Sequence, residues 1–439
     1  MNIDIEFVEV FYSRLEEENI DYCILRNVEE VINGDAHDID ITVDSARLID
    51  SENILFTTAS DLGWKIHIRT GSSKDSVNIK CYHMFKIFEN KIHIVHFDFF
   101  PTFSWSGYVL IDNKTLLDNT DKKTIYHMAA PEVEAVTKLF IRLLHNGYIK
   151  SKYKKDIVTV FRERQEKVNT ILKCFLDDDA VQYVSNTVYK EEWKELEKNR
   201  EYLVKMIKRN SRKEIIKQKI YLVRKAMGKA GIMVVFEGTD GSGKSTIIDS
   251  LPDVLGNSFP KGMMDYYHWR PGLIKKEKTS KYGKATVVTE PHAKEPYGKI
   301  KSFIKFMFFN LDYILGYWCK IRWQVSKGHL VVFDRYYYDY YLDKLRYRLD
   351  ISDRVLDLLK KIIPKPDITF LLVGDPQILY ERKKEIPIEE IEMQIQRIKK
   401  KQNKFNNSVI IDVNKPIEEV VEDVSIQILK KCSLQIKNK

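Results

Sequence analysis

Nine consecutive residues constrain this chain more than any others. Gly238-Thr239-Asp240-Gly241-Ser242-Gly243-Lys244-Ser245-Thr246 fills every fixed position of the pattern G-x-x-x-x-G-K-S/T. Such a run works only between a buried strand and a helix N-terminus, because free backbone N–H groups and the positive helix end must converge on phosphate oxygens. The flanks suit that arrangement. Ile232-Met233-Val234-Val235-Phe236 is a short apolar run of the kind that makes a buried parallel strand. Ser245 to Leu251 lacks Pro and Gly and is expected to form a short helix that Pro252 ends or kinks. Gly238, Gly241 and Gly243 allow close backbone approach, and Asp240, Ser242 and Thr246 complete the cradle. Lys244 is expected on the β- and γ-phosphates of ATP, and the Ser245 hydroxyl on Mg²⁺.

With 439 residues, the chain exceeds one ordinary core, so two or three domains are expected. Its 44% hydrophobic and 31% charged residues fit a soluble globular protein. Cys23, Cys81, Cys174, Cys319 and Cys432 are scattered and form no C-x-x-C pair, which points to a reduced compartment with neither a disulfide framework nor a zinc site. The acidic N-terminus lacks the basic and apolar regions of a secretory signal, so a cytoplasmic location is expected. Lys305, Asp312, Lys320 and Arg322 interrupt the apolar stretch from Phe303 to Trp323, which should not cross a membrane. The net charge of +9 is concentrated in 201–230, where ten Lys or Arg face two Glu. That segment reads as a solvated basic helix joining two domains. Its alternative partner is an anionic membrane surface, with nucleic acid a weaker candidate.

In the N-terminal part, Phe7 to Asn19 has the pattern of an amphipathic helix, Tyr22 to Leu25 that of a strand, and Arg26-Asn27 that of a turn. Asp38-Ile39-Asp40-Ile41-Thr42-Val43 alternates polar and apolar residues, placing Asp38 and Asp40 on one face of a strand. His93 to Phe100 forms a further strand with Asp98 on the face of His96. Three such carboxylates on neighbouring strands can share divalent cations. Residues 1 to 120 resemble the nucleotidyltransferase superfamily of the polymerase-β type. The resemblance makes Asp38, Asp40 and Asp98 the candidate metal ligands for nucleotidyl transfer, although Leu25-Arg26-Asn27 replaces that family's Gly-Ser turn. The domain is either an active transferase with Arg26 on the phosphates or one that binds without catalysing, and the alternative for the carboxylates is coincidental exposure. His96 reads as a packed or supporting histidine, and His67, His83 and His93 have no metal-ligand spacing.

Tyr126 to Ala230 is charged, has 3.6-residue periodicity and almost no Gly or Pro, and is expected to be helical. Pro131 with Glu132 and Glu134 should open one helix, and the Asp177-Asp178-Asp179 triplet should cap another. Gly228 to Gly231 marks the domain boundary.

Past the loop come Trp269-Arg270-Pro271-Gly272 and the apolar run Val331-Val332-Phe333, which ends in Asp334-Arg335-Tyr336. Strand C-termini of a parallel sheet open onto the ligand crevice, so Asp334 is placed to hold Mg²⁺ through water and Arg335 to clamp phosphate. Asp367 to Val373 is another strand, followed by a helix carrying Arg382-Lys383-Lys384. In this order the features resemble the thymidylate kinase family across about residues 231 to 430. The resemblance places Asp240 toward the acceptor. Because Gly241 stands where some members carry an arginine, it also draws the catalytic cation from Arg382, Lys383 or Lys384. The arrangement is similar, too, to thymidylate-kinase-like proteins of bacterial surface-polysaccharide synthesis. The Ser and Gln that the family carries after Asp-Arg-Tyr are missing from Tyr337-Tyr338-Asp339-Tyr340-Tyr341. Tyr336, Tyr337, Tyr338, Tyr340 and Tyr341 read either as stacking surfaces for an acceptor, a nucleobase or a sugar, or as core.

The expected fold is α/β: a C-terminal P-loop kinase at 231–439 with a parallel sheet flanked by helices, an α+β nucleotidyltransferase-like domain at 1–125, and a helical connecting region at 126–230. The expected function is an ATP- and Mg²⁺-dependent phosphotransferase, similar to nucleoside monophosphate kinases. Its acceptor is a small molecule, a nucleoside monophosphate or a sugar-linked compound, held by Arg270 and Arg335. A homodimer is compatible with it. The alternative is a nucleotide-dependent binding or regulatory module that phosphorylates nothing.

Overall fold

The structure, a computed structural model, describes residues 3–25, 39–70, 80–88, 91–122, 126–211, 231–256, 258–259, 262–273, 295–384 and 386–432. Arg26, Asn27, Asp38 and the 212–230 part of the basic segment lie outside these residues. The chain divides into two compact units, the first chiefly Met1–Ile87 and His93–Arg224, the second chiefly Lys225–Ser433.

The first unit is built on a seven-stranded mixed sheet. Helix α1 (Ile3–Glu17) precedes strands β1 (Tyr22–Ile24) and β2 (Ile39–Val43), then come α2 (Leu48–Asp61), β3 (Lys65–Thr70), β4 (Lys80–Phe88) and β5 (Lys91–Phe99). After the β6 (Phe103–Trp105) and β7 (Tyr108–Ile111) hairpin and α3 (Asn113–Asp118), the short strands β8 (Thr120–Asp121) and β9 (Met128–Ala129) complete the order β3-β4-β5-β2-β1-β9-β8. Asp4 and Glu6 in the first turn of α1 and Arg14 in its last match the helix dipole. Phe7, Phe11 and Leu15 recur along one buried stripe and pack with Ile39, Ile41, Phe97 and Phe99. The alternation of a strand then sends Asp40, Thr42, His96 and Asp98 to the opposite face. All five residues of β2 are buried, so both of its faces are covered.

The helices beyond residue 130 belong to the same unit and do not form a core of their own. In α4 (Pro131–Asn146), Pro131 and two glutamates open the helix, and Gly147 at φ 75° closes it. The side chain of Asp177 accepts the Ala180 N–H at 3.0 Å and so caps α7 (Asp178–Tyr189), which follows α5 (Ser151–Glu163) and α6 (Gln165–Leu172). With α8 (Trp193–Lys198) and α9 (Arg200–Asn210), these helices share one apolar cluster with Cys23, Leu25, Trp105 and Leu110.

The second unit is a five-stranded parallel sheet in the order β11-β12-β10-β13-β14. Its elements run β10 (Ile232–Gly238), α10 (Lys244–Leu255), β11 (Met264–His268), α11 (Lys299–Gly316), α12 (Arg322–Ser326) and β12 (Leu330–Asp334). They continue as α13 (Asp339–Leu342), α14 (Asp353–Lys360), β13 (Ile368–Val373), α15 (Pro376–Arg382), α16 (Ile388–Lys401), β14 (Ser408–Asp412) and α17 (Ile417–Cys432). The chain leaves central β10 toward one side of the sheet and returns to the other through β13. Such a reversal opens a crevice at the strand C-termini. Pro252 does not end α10, which runs on to Leu255. A proline removes one N–H donor from a helix, and the burial of Ile247, Ile248, Leu251 and Leu255 outweighs that loss. Among the described residues, no helix is long and apolar enough to cross a membrane.

Candidate active site

The phosphate loop joins β10 to α10. Gly241 and Gly243 have φ of 80° and 79°, which residues with a Cβ rarely adopt. A Cβ on Gly241 would also lie 2.3 Å from the Leu379 carbonyl oxygen, whereas one on Gly243 would meet nothing within 4 Å. The loop is therefore backed by α15 on one side and open at Gly243. Among the described residues nothing accepts the N–H groups of Gly241 and Gly243, which leaves them available to an anion. Lys244 is buried and folds back over the loop, its Nζ donating to the carbonyls of Gly238 (2.9 Å) and Thr239 (2.7 Å) and to Ser242 Oγ (3.3 Å). Burial, and then the positive Arg335, lower its pKa to about 8 against the pull of Asp334 and Asp240. Ser245 and Thr246 follow on the exposed side of the helix.

Asp334 ends β12 beside this loop and is buried. Its Oδ2 accepts from the Tyr266 hydroxyl at 3.3 Å and lies 3.7 Å from His268 Nδ1, while Oδ1 has no hydrogen-bond partner among the described residues. Burial opposes its charge, but His268 and then Lys244 outweigh that and hold its pKa at about 2. An ionised carboxylate with an orphaned oxygen, next to the first helical turn carrying Ser245, fits a hydrated Mg²⁺.

Asp240 and Arg335 meet in a buried ionic network. Arg335 Nη2 donates to Asp240 Oδ1 at 2.7 Å, and Nη1 donates to both oxygens of Asp339 at 2.9 and 3.0 Å. Arg346 binds the other oxygen of Asp240 and, through Nε, Asp343 at 3.3 Å, and the Tyr347 hydroxyl donates to Asp339. Burial would raise the pKa of Asp240, yet Arg335 and Arg346 hold it well below the usual carboxylate range. Arg335 takes φ 69° and its N–H binds the Phe236 carbonyl at 2.9 Å. The guanidinium thus acts first on two carboxylates of its own chain, whereas the sequence placed it on a phosphate.

The Arg-Pro-Gly turn is organised by a residue that, in the sequence, is only a charge interrupting an apolar helix. Asp312 on α11 is fully buried and accepts from Arg270 Nη1 (3.2 Å), Gly272 N (3.1 Å) and Leu273 N (2.8 Å). Arg270 lies over the rings of Trp269 (4.5 Å) and Phe309 (4.6 Å). Tyr336, Tyr337, Tyr338, Tyr340 and Tyr341 are all at most 2% exposed and belong to the core cluster. Tyr337 donates to the Leu356 carbonyl and Tyr338 to Asn406, so these rings offer no open stacking face.

Of the three basic residues after β13, Arg382 donates to the Val413 carbonyl at 3.0 Å and Lys384 pairs with Glu381 at 3.0 Å. Lys383 lies against the phosphate loop. Its Cβ would be 3.5 Å from a Cβ on Gly241, and its charge helps to keep Asp240 ionised. Glu237, one residue before the loop, went unnoticed in the sequence because it sits inside an apolar strand. It is fully buried, accepts the Tyr336 N–H at 2.9 Å, and is pushed well above the usual carboxyl pKa, first by burial and then by Asp339.

In the first unit, β2 and β5 are parallel neighbours, and Asp40 and Asp98 are direct partners across them. Asp40 is 1% exposed. Asp98 Oδ1 accepts from His96 Nε2 at 2.8 Å. The third carboxylate, Asp38, lies outside the described residues.

Residues 275–424 match the family described as Thymidylate kinase. The C-terminal part of the chain carries a thymidylate kinase family domain. A "Probable thymidylate kinase" of Archaeoglobus fulgidus is 28% identical over 199 residues, 44% of this chain and 92% of the relative. Another "Probable thymidylate kinase", from Pyrobaculum aerophilum, is 28% identical over 155 residues, 34% of this chain and 68% of the relative. The crystal structure of thymidylate kinase from Ehrlichia chaffeensis is 18% identical with a TM-score of 0.30, covering 45% of this chain and 98% of that one. The matched part of the thymidylate kinase domain contains Asp312, Asp334, Arg335 and Lys383.

Proposed function

We propose that the C-terminal domain transfers the γ-phosphoryl group of ATP to an anionic acceptor of the nucleoside monophosphate class. The observation that carries this reading is the open, glycine-lined phosphate loop with Lys244 over it and the orphaned oxygen of Asp334 at its mouth. On binding, the terminal phosphates of ATP take the place of the Gly238 and Thr239 carbonyls as partners of Lys244, and the N–H groups of Gly241 and Gly243 bind phosphate oxygens. Ser245 and Asp334 would hold Mg²⁺, which supplies charge neutralisation on the phosphates. Arg270 brings a fixed cation to the Arg-Pro-Gly turn, where an acceptor phosphate can dock. Asp240, aligned by Arg335 and Arg346, faces the acceptor, and its depressed pKa makes it a hydrogen-bond acceptor for a neutral or cationic group. Lys383 is better placed than Arg382 to close over the migrating phosphoryl group.

Transfer from radiolabelled ATP to a panel of nucleoside monophosphates, sugars and sugar phosphates tests the reading. Labelled nucleoside diphosphate, absent with Lys244→Ala, is the expected result. Sugar-linked acceptors belong in the panel, since the burial of the five tyrosines removes a stacking surface that would have suited a sugar and a nucleobase alike. Stoichiometric ATP binding with no labelled product across the panel would replace this reading with that of a nucleotide-dependent binding module.

A second reading is favoured by the register of Asp40 with Asp98. The N-terminal domain would be nucleotidyltransferase-like, with these two carboxylates and Asp38 as Mg²⁺ ligands. Mn²⁺ binding followed by electron paramagnetic resonance should weaken in Asp40→Asn and Asp98→Asn, and equal binding in both variants would dismiss it.

A further inference from the structure

The polar face of the N-terminal sheet carries donors other than carboxylates. Cys81 on β4 and His96 and Asp98 on β5 each offer one ligand atom, and the three atoms lie within 4.8 Å of one another. Cys81 and His96 are buried and the Asp98 side chain is 18% exposed. The ring of His83 stacks on that of His96 with centroids 3.9 Å apart, which fixes the plane of the imidazole. Burying a thiol, two imidazoles and two carboxylates on one sheet face is costly unless they serve one another or a ligand. Sequence spacing concealed this set, because Cys81 and His96 lie on different strands and no C-x-x-C or H-x-x-H pattern announces them.

We propose that Cys81, His96 and Asp98 bind one divalent transition metal ion of the zinc type. Bonds of about 2.0–2.3 Å put neighbouring ligands of a tetrahedral zinc roughly 3.5 Å apart, so atoms that lie within 4.8 Å of one another need shift by only about 1 Å to meet one ion. One sulfur, one nitrogen and one oxygen donor suit zinc and disfavour Mg²⁺, which takes oxygen ligands. Cys81 loses its proton on binding, and the thiolate and carboxylate together neutralise the ion. His83 supports the ligand His96 by stacking. Asp98 belongs both to this set and to the pair with Asp40, so this site adjoins the Mg²⁺ ligands proposed above while having different donor chemistry.

Titration of the metal-free full-length chain with Co²⁺ tests the inference, since cobalt reports a sulfur ligand by its near-ultraviolet thiolate-to-metal band. One equivalent should produce that band, and Zn²⁺ but not excess Mg²⁺ should abolish it. Cys81→Ser should remove the band and His96→Gln should weaken Co²⁺ binding at least about tenfold, while Cys174→Ser leaves both unchanged. Should Cys81→Ser not fold, the same titration of His96→Gln and Asp98→Asn decides. No band in the wild-type chain, or a band that survives in Cys81→Ser or disappears in Cys174→Ser, overturns the proposal. Loss of Mn²⁺ binding without loss of the cobalt band would separate the two neighbouring sites.

Discussion

The depressed pKa of Lys244 gives ATP binding a pH dependence that an ordinary lysine would not. With a value of about 8 in the free protein, only the protonated form can meet the phosphates, and their charge raises the pKa in the complex. Affinity is therefore full below pH 8 and falls tenfold per unit above it. Between pH 7 and 9.5 the dissociation constant should rise about 30-fold, or about 2 kcal/mol at 1.36 kcal/mol per unit. Calorimetry with a non-hydrolysable ATP analogue, in buffers of different ionisation heat, measures both the affinity and the protons taken up. Uptake should approach one proton at pH 9.5. In Lys244→Arg the guanidinium stays charged across this range, so the slope should flatten even if affinity drops. A dissociation constant that changes less than about threefold from pH 7 to 9.5, or an identical slope in Lys244→Arg, would refute the reasoning. The linkage also acts on folding. Because the folded value lies below the ordinary lysine value of 10.5, the unfolded chain binds more protons between about pH 8 and 10.5. This lysine thus makes folding more favourable as pH rises through that window.

Three further outcomes follow from the same geometry. Arg335→Ala leaves Asp240 and Asp339 buried without their main cation and should lower stability to urea by about 3–5 kcal/mol. Arg335→Lys should recover little of that, since a compact ammonium lacks the rigid fork whose two nitrogens each serve a different carboxylate. Gly241→Ala places a Cβ 2.3 Å from the Leu379 carbonyl at φ 80° and should cost about 1–3 kcal/mol. ATP affinity falls with it, and wild-type melting and binding would show the loop is not so confined. Asp312→Asn weakens the anchor of Arg270 and of two backbone N–H groups. It should raise KM for the phosphate acceptor with little change in KM for ATP, and steady-state kinetics with each substrate varied checks the split.

Motifs that are local in sequence were legible, and partnerships between distant residues were not. The strand, loop and helix around Lys244 follow from hydrophobic run, glycine placement and helix start, all encoded within some twenty residues, and β10 and α10 form there. The Pro131 and Asp177 helix starts likewise rest on adjacent residues. Asp312 could not be read as the anchor of Arg270, because the two are 42 positions apart and only the packing of α11 brings them together. Arg346, which binds Asp240 across 106 positions, carried no motif at all. The tyrosine run was ambiguous for a related reason. Aromatic residues serve core and ligand equally well, and only burial assigns these five to the core. Cys81 carries no metal-binding signature in the sequence because such spacing is a property of one segment, whereas β4 and β5 supply these donors from two.

In the proposed reaction, the geometry of the site indicates where the energy of ATP binding would go. Trp269 and Arg335 both hold left-handed backbone, φ 61° and 69°, at the ends of β11 and β12. Such conformations persist only where their surroundings impose them. Here the Trp269 N–H binds the Asp334 carbonyl at 2.8 Å and the Arg335 N–H binds that of Phe236 at 2.9 Å, so each strand end is tied to its neighbour. The side chains are fixed as firmly: Arg335 by Asp240 and Asp339, Arg270 by Asp312. Fixed charges of this kind need little reorganisation when a phosphoryl group moves, which is how preorganised electrostatics lower a barrier. Lys244 differs from them. Its ammonium satisfies itself on two loop carbonyls and Ser242, and it must leave those partners to meet a phosphate. The exchange makes the contribution of this lysine to ATP binding a difference between two sets of bonds. That difference favours the phosphates because theirs is full negative charge where the carbonyls offer only dipoles.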